Sequence, residues 1–364
     1  MAKIKVGIIG CGNISGIYLQ NLTKAFHNVE LAACADMIAE RAEAKAAEHG
    51  IKAMTVDAML ADPGISIIVN LTIPKAHAIV TLQALEAGKH VYLEKPFAIT
   101  REDGLAMLAM AKKKGLRIGC APDTFLGGGI QTCRKLLDDG WIGKPVGATA
   151  FMTCHGHESW HPDPEFYYET GGGPMFDMGP YYLTALVNLL GPVAGAAGHA
   201  DVTFPTRTIT SARKFGKVVE VEVPTHITGL LRFEGGQSAT VMTSFDVWHS
   251  QLPRIELYGS EGTLIVPDPN SFGGPVLLRR MGQAEWAEMP LSHGHADNSR
   301  GIGVADMARA IASGTPHRAD MTLAYHVLDV MHAIHDAARE ERTVKLASTC
   351  KRPEALPIVD LYEG

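Results

Sequence analysis

The chain opens with Ile4-Lys5-Val6-Gly7-Ile8-Ile9-Gly10-Cys11-Gly12-Asn13-Ile14-Ser15, and this stretch decides the fold of the first half. Residues 4–9 form an apolar run of strand length, which indicates a buried β-strand. A Gly-x-Gly turn follows, and the residues from there to about Ala25 have the pattern of a helix. A strand, a glycine turn and a helix in this order are typical of the start of a βαβ unit.

The same alternation continues through the first third of the chain. Further strands are expected at residues 29–35, 65–71, 90–93 and 115–120, and helices at 39–49, 77–87 and 101–114. Strands that alternate with helices across short loops predict a doubly wound parallel sheet, as in an α/β Rossmann domain.

After about Gly143 the pattern changes to short apolar runs separated by turn residues. Strands are expected at 225–233, 238–247, 254–258 and 263–266, with hairpin turns at 233–237 and 258–263, and helices at 301–312 and 323–339. We therefore predict two domains, residues 1–123 and 124–364, of which the second is α+β with a mostly antiparallel sheet.

Composition excludes several classes of protein. The 364 residues are 46% hydrophobic and 20% charged, which is typical of a globular protein, and the net charge of -6 without a basic cluster argues against a nucleic-acid partner. The six cysteines form no Cys-x-x-Cys pair, which favours reduced thiols and a cytoplasmic location. Neither a signal peptide nor an apolar run of membrane-spanning length is recognisable, so no membrane association is expected.

The glycine turn predicts dinucleotide binding. Gly10 permits the tight turn out of the strand, Gly12 lets the backbone approach a pyrophosphate, and the following helix start offers N–H groups to the phosphates. The third glycine of the usual fingerprint is replaced by Ser15. Asp36 ends the second strand, where a carboxylate accepts hydrogen bonds from an adenosine ribose, and no arginine follows it to hold a 2′-phosphate. NAD is therefore expected rather than NADP; the alternatives are a structural turn at the glycines and a helix N-cap at Asp36.

A second motif, Glu94-Lys95-Pro96, follows the strand at 90–93. A lysine at the carboxyl edge of a nucleotide-binding sheet can donate a proton beside a nicotinamide ring. Together, the two motifs predict an enzyme that transfers a hydride.

Several motifs together resemble the family of glucose-fructose oxidoreductase, inositol dehydrogenase and the rhizopine catabolism proteins. The resemblance rests on Gly10-x-Gly12, Thr72-Ile73-Pro74-x-x-His77, Glu94-Lys95-Pro96 and the spacing of Asp177 and Tyr181, and it covers nearly the whole chain. It implies a Rossmann domain, a second domain built on a large open sheet, a nicotinamide cofactor and sugar or polyol substrates. The cofactor site expected from the motifs and the resemblance comprises Gly10, Gly12, Asn13, Ile14, Asp36, Thr72, Pro74, His77, Glu94, Lys95 and Pro96.

The chain departs from this family at two places. Many members carry Asp, then His four residues later, then Asp three further, whereas this chain reads Asp177, Tyr181 and Thr184. Glucose-fructose oxidoreductase and dihydrodiol dehydrogenase resemble it in carrying tyrosine there. Pro122-Asp123-Thr124-Phe125 stands where many members place an arginine. Lys95, Asp177 and Tyr181 are the expected catalytic residues, and either Lys95 or Tyr181 is expected to carry the proton.

Residues 155–182 are rich in histidine and aromatic side chains, which suits a site for sugars. Hydrogen-bonding groups meet sugar hydroxyls, and an aromatic face meets the apolar C–H surface. The expected substrate residues are Asp123, Trp160, His161, Asp177 and Tyr181. Tyr167, Tyr168 and Tyr182 are expected to pack under a loop, and the pairs His155/His157 and His293/His295 lack the partners of a recognised metal site, so no metal is expected.

We therefore expect an NAD-dependent oxidoreductase that acts on a secondary alcohol of a neutral sugar, polyol or glycoside. The alternatives are a non-catalytic regulatory protein with the same dinucleotide fold and a dihydrodiol- or imine-type reductase. Between Lys144 and Arg207 there is neither lysine nor arginine, which favours a neutral substrate. An open sheet face must be covered, so a homodimer or homotetramer is expected.

Overall fold

A computed structural model describes residues 3–359 and 362 of the chain. The chain folds into two compact units. The first unit contains residues 1–128, 293–325 and 353–364, and the second contains 129–292 and 326–352. The division differs from the expected 1–123 and 124–364, because two segments from the last quarter of the chain pack with the N-terminal unit.

The first unit is a doubly wound parallel sheet, which confirms the expected Rossmann fold. Its strands are β1 (Ile4–Ile9), β2 (Val29–Ala35), β3 (Lys52–Ala53), β4 (Ile67–Asn70), β5 (His90–Leu93) and β6 (Ile118–Cys120). They lie in the order 3-2-1-4-5-6, all parallel, which is the order of dinucleotide-binding folds.

Helices connect these strands. They are α1 (Ser15–Lys24), α2 (Ala39–His49), α3 (Val56–Ala61), α4 (Pro74–Glu86) and α5 (Arg101–Lys114). Helix α4 begins at Pro74, three residues before the expected start. Strand β6 is shorter than the expected 115–120, because Gly115 ends α5 in the left-handed conformation.

Helix α6 (Gly128–Asp138) leads into the second unit, whose main sheet has nine strands. The strands of the second unit are β7 (Pro145–Thr153), β8 (Val193–Asp201), β9 (Thr206–Thr208), β10 (Val218–Glu220), β11 (His226–Phe233), β12 (Ser238–Ser244), β13 (Ile255–Gly259), β14 (Gly262–Val266), β15 (Val276–Arg280), β16 (Ala287–Met289) and β17 (Val344–Lys345). The large sheet has the order 16-15-14-13-7-12-11-8-17, and β9 and β10 form a separate antiparallel pair. In the part of the chain that the structure describes, β7 and β12 are the only parallel pair within the large sheet, so the expected mostly antiparallel sheet is confirmed.

Both expected hairpins are present, because β11 pairs with β12 and β13 pairs with β14 in antiparallel register. The remaining helices are α7 (Gly173–Asp177), α8 (Gly179–Leu190), α9 (Ile302–Ser313) and α10 (Met321–Glu340). Alternation along β11 puts Ile227, Leu231 and Phe233 in the core, whereas Leu230 on the other face is 60% exposed. Among the described residues, no helix is long and apolar enough to cross a membrane.

Candidate functional site

The glycine turn lies at the carboxyl edge of β1, and its two glycines differ in how much space surrounds them. Gly10 has a φ of +104°, and a Cβ at this position would lie 2.7 Å from the carbonyl carbon and oxygen of Leu71. Only glycine fits there. A Cβ at Gly12 would meet no atom of the described residues within 4 Å. The space beside Gly12 is therefore open, and that is what a phosphate needs.

The start of α1 also suits a phosphate. Its N-cap residue, Ile14, has no polar side chain to cap the first turn, and the first turn carries no acidic residue. Ser15 takes the place of the third glycine, and its hydroxyl donates a 2.7 Å hydrogen bond to the carbonyl oxygen of Gly12. The serine thus tightens the turn. The N–H groups of a helix start and its dipole favour an anion at this position.

Asp36 links the end of β2 to the glycine turn. Its Oδ2 accepts a 2.7 Å hydrogen bond from the Cys11 amide, and its Oδ1 accepts a 2.9 Å hydrogen bond from the Ile38 amide. Helix α2 starts at Ala39 and has Ile38 as its N-cap, so Asp36 does not cap the first turn of that helix. Each carboxylate oxygen has a further lone pair, so the side chain can still accept from a ribose hydroxyl.

The Thr72–His77 turn is held by side chains that bind backbone groups. The Oδ1 of Asn70 accepts hydrogen bonds from the Thr72 amide and hydroxyl, at 3.2 and 2.6 Å, and Pro74 opens α4. His77 is buried between two carbonyl oxygens, with its Nδ1 2.8 Å from Pro96 O and its Nε2 3.0 Å from Thr72 O. Burial lowers the pKa of His77, so the neutral ring donates to one of them. His77 therefore braces two loops against each other.

Glu94 anchors the loop that carries Lys95. Its Oε1 accepts a 2.7 Å hydrogen bond from the Tyr18 hydroxyl of α1, and its Oε2 accepts a 2.9 Å hydrogen bond from the Lys95 amide. Glu94 is buried and Lys95 is half-buried. Burial raises the pKa of Tyr18 well above its usual value, and the charge of Glu94 adds to that effect, so the phenol stays a donor. Sequence reasoning missed Tyr18, because no local pattern links residue 18 to residue 94.

Asp123 is held inside the first unit. Its Oδ2 accepts hydrogen bonds from the Gly301 and Gly303 amides at 2.8 and 3.0 Å, at the start of α9. Burial raises the pKa of this carboxyl to about 6, although the two amides oppose the rise. The contacts that the structure gives Asp123 are those of a helix cap, which differ from the expected role in binding substrate.

In the second unit, Asp177 ends α7 and lies beside His157. The His157 Nε2 is 3.5 Å from the Asp177 Oδ2. Aromatic rings surround His157, with centroid distances of 5.2 Å to Trp160, 4.1 Å to Tyr167 and 4.7 Å to Phe245. Trp160 is 61% exposed, so one end of this cluster is open to solvent.

The other residues expected in this segment occupy several environments. Tyr181 is buried in α8. The His161 Nδ1 accepts a 3.0 Å hydrogen bond from the Asp163 amide, and burial lowers the pKa of the ring. Tyr168 and Tyr182 are buried, as expected for packing residues.

The two histidine pairs are not arranged as metal ligands. The ring of His155 stacks on Trp248, whereas His157 lies beside Asp177. His293 has its Nε2 3.0 Å from Leu356 O, and the ring of His295 lies near those of Phe26 and Tyr362. Among the described residues, no group of three His, Cys, Asp or Glu side chains could hold a metal ion.

Residues 158–165 are tied to residues 207–217 by ion pairs. The Arg207 Nη1 is 3.2 Å from the Glu158 Oε1, and its Nη2 pairs with Asp246. The other pairs in this set are Arg213–Asp163, Lys214–Asp163, Lys214–Glu165 and Lys217–Glu165, at 2.5–2.9 Å. Burial alone would raise the pKa of Glu165, but Lys214 and Lys217 outweigh it and lower the value to about 2. The gap in basic residues is visible in the sequence, but these partners are not, because they lie about 50 residues away.

Comparison with known proteins gives two family matches. The model of an oxidoreductase family with an NAD-binding Rossmann fold matches residues 4–121, and a Gfo/Idh/MocA C-terminal domain model matches residues 130–265.

Curated relatives include an inositol 2-dehydrogenase/D-chiro-inositol 3-dehydrogenase of Lactiplantibacillus plantarum, which is 32% identical over 39% of this chain and 42% of that protein. The match to this relative thus spans less than half of its length. A 1,5-anhydro-D-fructose reductase of Ensifer adhaerens is 28% identical over 71% of this chain and 74% of that protein.

Among solved structures, levoglucosan dehydrogenase in complex with NADH and L-sorbose has the same fold. It superimposes with a TM-score of 0.80 at 20% identity, over 96% of this chain and 100% of that one.

Proposed function

The chain belongs to the Gfo/Idh/MocA family of NAD-binding oxidoreductases, and we propose that it transfers a hydride between nicotinamide and a secondary alcohol or ketone of a neutral sugar, an inositol-like polyol or a glycoside. The first match to a curated relative spans under half of that protein, so the substrate class rests mainly on the residues of this chain. Relatives named for inositol and anhydrofructose chemistry support the same class.

The observation that carries the proposal is the pairing of charges in the second unit. From residue 145 to residue 217 the chain has four lysine and arginine side chains, at positions 207, 213, 214 and 217, and each pairs with a carboxylate. An anionic substrate in this segment would have to compete with those carboxylates for the cations. At the buried Arg207 it would leave Glu158 or Asp246 unpaired, at a large free-energy penalty. Hydroxyl groups need no such cation, and His157, Asp177 and Trp160 offer hydrogen bonds and an aromatic face to them.

We propose that the first unit binds the cofactor. The open space beside Gly12 and the start of α1 fit the pyrophosphate, and Asp36 fits the adenosine ribose. When bound, the cofactor supplies or accepts the hydride at its nicotinamide ring. Asp36 would place a negative charge against a 2′-phosphate, which favours NAD over NADP.

The residues that handle the substrate hydroxyl are assigned as follows. Lys95 or Tyr181 exchanges the hydroxyl proton, and Asp177 binds the substrate. The Nε2 of His157 lies 3.5 Å from the Oδ2 of Asp177, beside the carboxylate that binds the substrate. Glu94 fixes the amide of Lys95 and so sets where the lysine loop lies. Trp160 and His161 contact the part of the sugar that does not react.

The test is a panel of substrates with NAD as oxidant, followed by absorbance at 340 nm. Neutral sugars, inositols and glycosides are expected to be turned over, and sugar phosphates and uronic acids to have at least tenfold lower kcat/KM. A sugar phosphate or sugar acid as the best substrate would contradict the proposal and would mean that an unpaired cation lies outside residues 145–217.

We further propose that the chain forms a homodimer or homotetramer through the open face of the large sheet. One face of this sheet is covered, since Ile334 of α10 lies against Gly198 and Gly229. The exposed Leu230 and Thr240 lie on adjacent strands of the other face, paired in register. Light scattering on the purified protein gives the subunit number, and a monomer at micromolar concentration would contradict this proposal.

A further inference from the structure

A cavity of about 420 Å³ lies in the second unit, beside the loop that carries His157. Its lining comes from residues 155–159, from residues 204–210 and from Trp248. None of the roles assigned above uses this cavity.

One wall of the cavity is aromatic. The rings of Trp248 and His155 stack with centroids 3.4 Å apart and planes 14° apart, and Phe204 meets His155 edge-on at 5.6 Å. Trp248 is nevertheless 70% exposed, so the indole face turned away from His155 is open. An exposed indole on a fixed support is a flat apolar surface with a hydrogen-bond donor at its edge, which suits a ring that has both C–H faces and hydroxyls.

A second wall carries hydroxyl groups. Thr206, Thr208 and Thr210 are exposed and line the cavity, and they alternate with the buried Arg207 and Ile209. Thr206 and Thr208 lie in β9 and share one of its faces, and Thr210 follows two residues after the strand ends. Among the described residues, none of the three hydroxyls has a hydrogen-bond partner. They remain available to a ligand, as in binding pockets where a few polar groups fix orientation.

The charge of the cavity favours a neutral ligand. Arg207 is 5% exposed, its guanidinium lies 4.8 Å over the ring of Phe204, and two carboxylates, Glu158 and Asp246, pair with it. The cluster therefore has no positive charge left for an anion.

The loop 154–159 connects this cavity to the proposed reaction site. His155 and Glu158 face the cavity, whereas His157, between them, lies beside Asp177. We propose that the cavity is a second saccharide subsite, which binds a neutral sugar ring of the substrate that is not oxidised. The substrate is accordingly a disaccharide or a larger glycoside. This inference rests on the proposed function, because it takes Asp177 as part of the site where the first ring reacts.

The test compares a panel of neutral disaccharides, including maltose and cellobiose, with their monosaccharides, in wild type and in Trp248→Ala. The best disaccharide is expected to exceed its monosaccharide in kcat/KM by at least tenfold. Trp248→Ala is expected to lower kcat/KM for that disaccharide by at least tenfold, through KM, and to change the monosaccharide value by less than twofold. Because the side chain is largely exposed, the variant should fold, and Thr208→Val gives a second variant that removes one hydroxyl.

Trp286→Ala is the matched control, since Trp286 does not line the cavity, and it should behave as wild type. An equal loss for monosaccharide and disaccharide, or no preference for any disaccharide, would overturn the subsite. If wild type oxidises no neutral sugar, the proposed function fails, and calorimetric titration with the same disaccharides tests the subsite alone. Binding that Trp248→Ala abolishes would then support it, and the absence of binding to wild type would overturn it.

Discussion

In the first unit the loops of the cofactor site are held by side chains that bind backbone groups, whereas in the second unit the substrate segment is held by ion pairs between side chains. Asp36, Asn70 and His77 each bind the main chain of a neighbouring loop. By contrast, residues 158–165 depend on basic side chains some 50 residues later in the chain. A hydrogen bond to the backbone tolerates substitution of the residue that supplies the peptide group, but a buried ion pair fails when either partner changes.

The largest expected effect is on the buried ion pairs. Arg207→Ala would leave Glu158 and Asp246 as buried carboxylates without their cation, and we expect a loss of about 3–5 kcal/mol in the free energy of unfolding. Arg213→Ala is the matched control, because the Arg213–Asp163 pair is exposed and should contribute less than about 1 kcal/mol. Thermal and urea unfolding measure the stability loss of each variant. Equal losses would contradict the expected difference between buried and exposed ion pairs.

The next effect concerns Lys95. Lys95→Ala should lower kcat by about a hundredfold or more, the range usual for loss of a general acid or base. NAD affinity should change less than threefold, since the glycine turn and Asp36 are untouched. Steady-state kinetics measure the effect on kcat, and fluorescence titration with NADH measures the effect on cofactor affinity. Near-normal turnover would leave Tyr181 as the proton carrier.

Asp123 should make the stability of the first unit depend on pH. Its pKa in the folded protein, about 6, lies above its ordinary value of 3.8, so folding favours the protonated form. The contribution of this group to stability is therefore highest below pH 3.8 and falls as the pH rises through 6. Asp123→Asn does not titrate, and its stability relative to wild type should rise by about 2–3 kcal/mol between pH 4 and pH 7. Melting temperatures across that range test this, and a constant difference would contradict it.

The smallest effect is on cofactor choice. Wild type should prefer NAD to NADP in kcat/KM, and Asp36→Ala should reduce or invert that ratio, because it removes a negative charge facing the 2′-phosphate. We expect removal of this charge to change the NAD-to-NADP ratio of kcat/KM by about tenfold, which corresponds to about 1.4 kcal/mol. A wild type that prefers NADP by tenfold would show that Asp36 serves only to hold Cys11 and Ile38.

The sequence by itself determined which edge of the first sheet carries the candidate cofactor residues. Gly10, Asp36, Thr72 and Glu94 each follow a strand, and the carboxyl ends of parallel strands meet at one edge of a sheet. A local pattern is therefore enough to place them. The two hairpins of the second unit were predicted for the same reason, since the turn and both strands lie within about twenty residues.

Only the tertiary structure decided what lies opposite each of these side chains. The partners of Arg207, Tyr18 and Asp123 lie 39 to 180 residues away in the sequence. Periodicity carries no information about such pairs, because burial depends on which elements pack together and not on local spacing. The return of residues 293–325 and 353–364 to the first unit has the same origin. Asp123 therefore resembles a substrate residue by its position in the sequence, and its contacts in the fold are those of a helix cap.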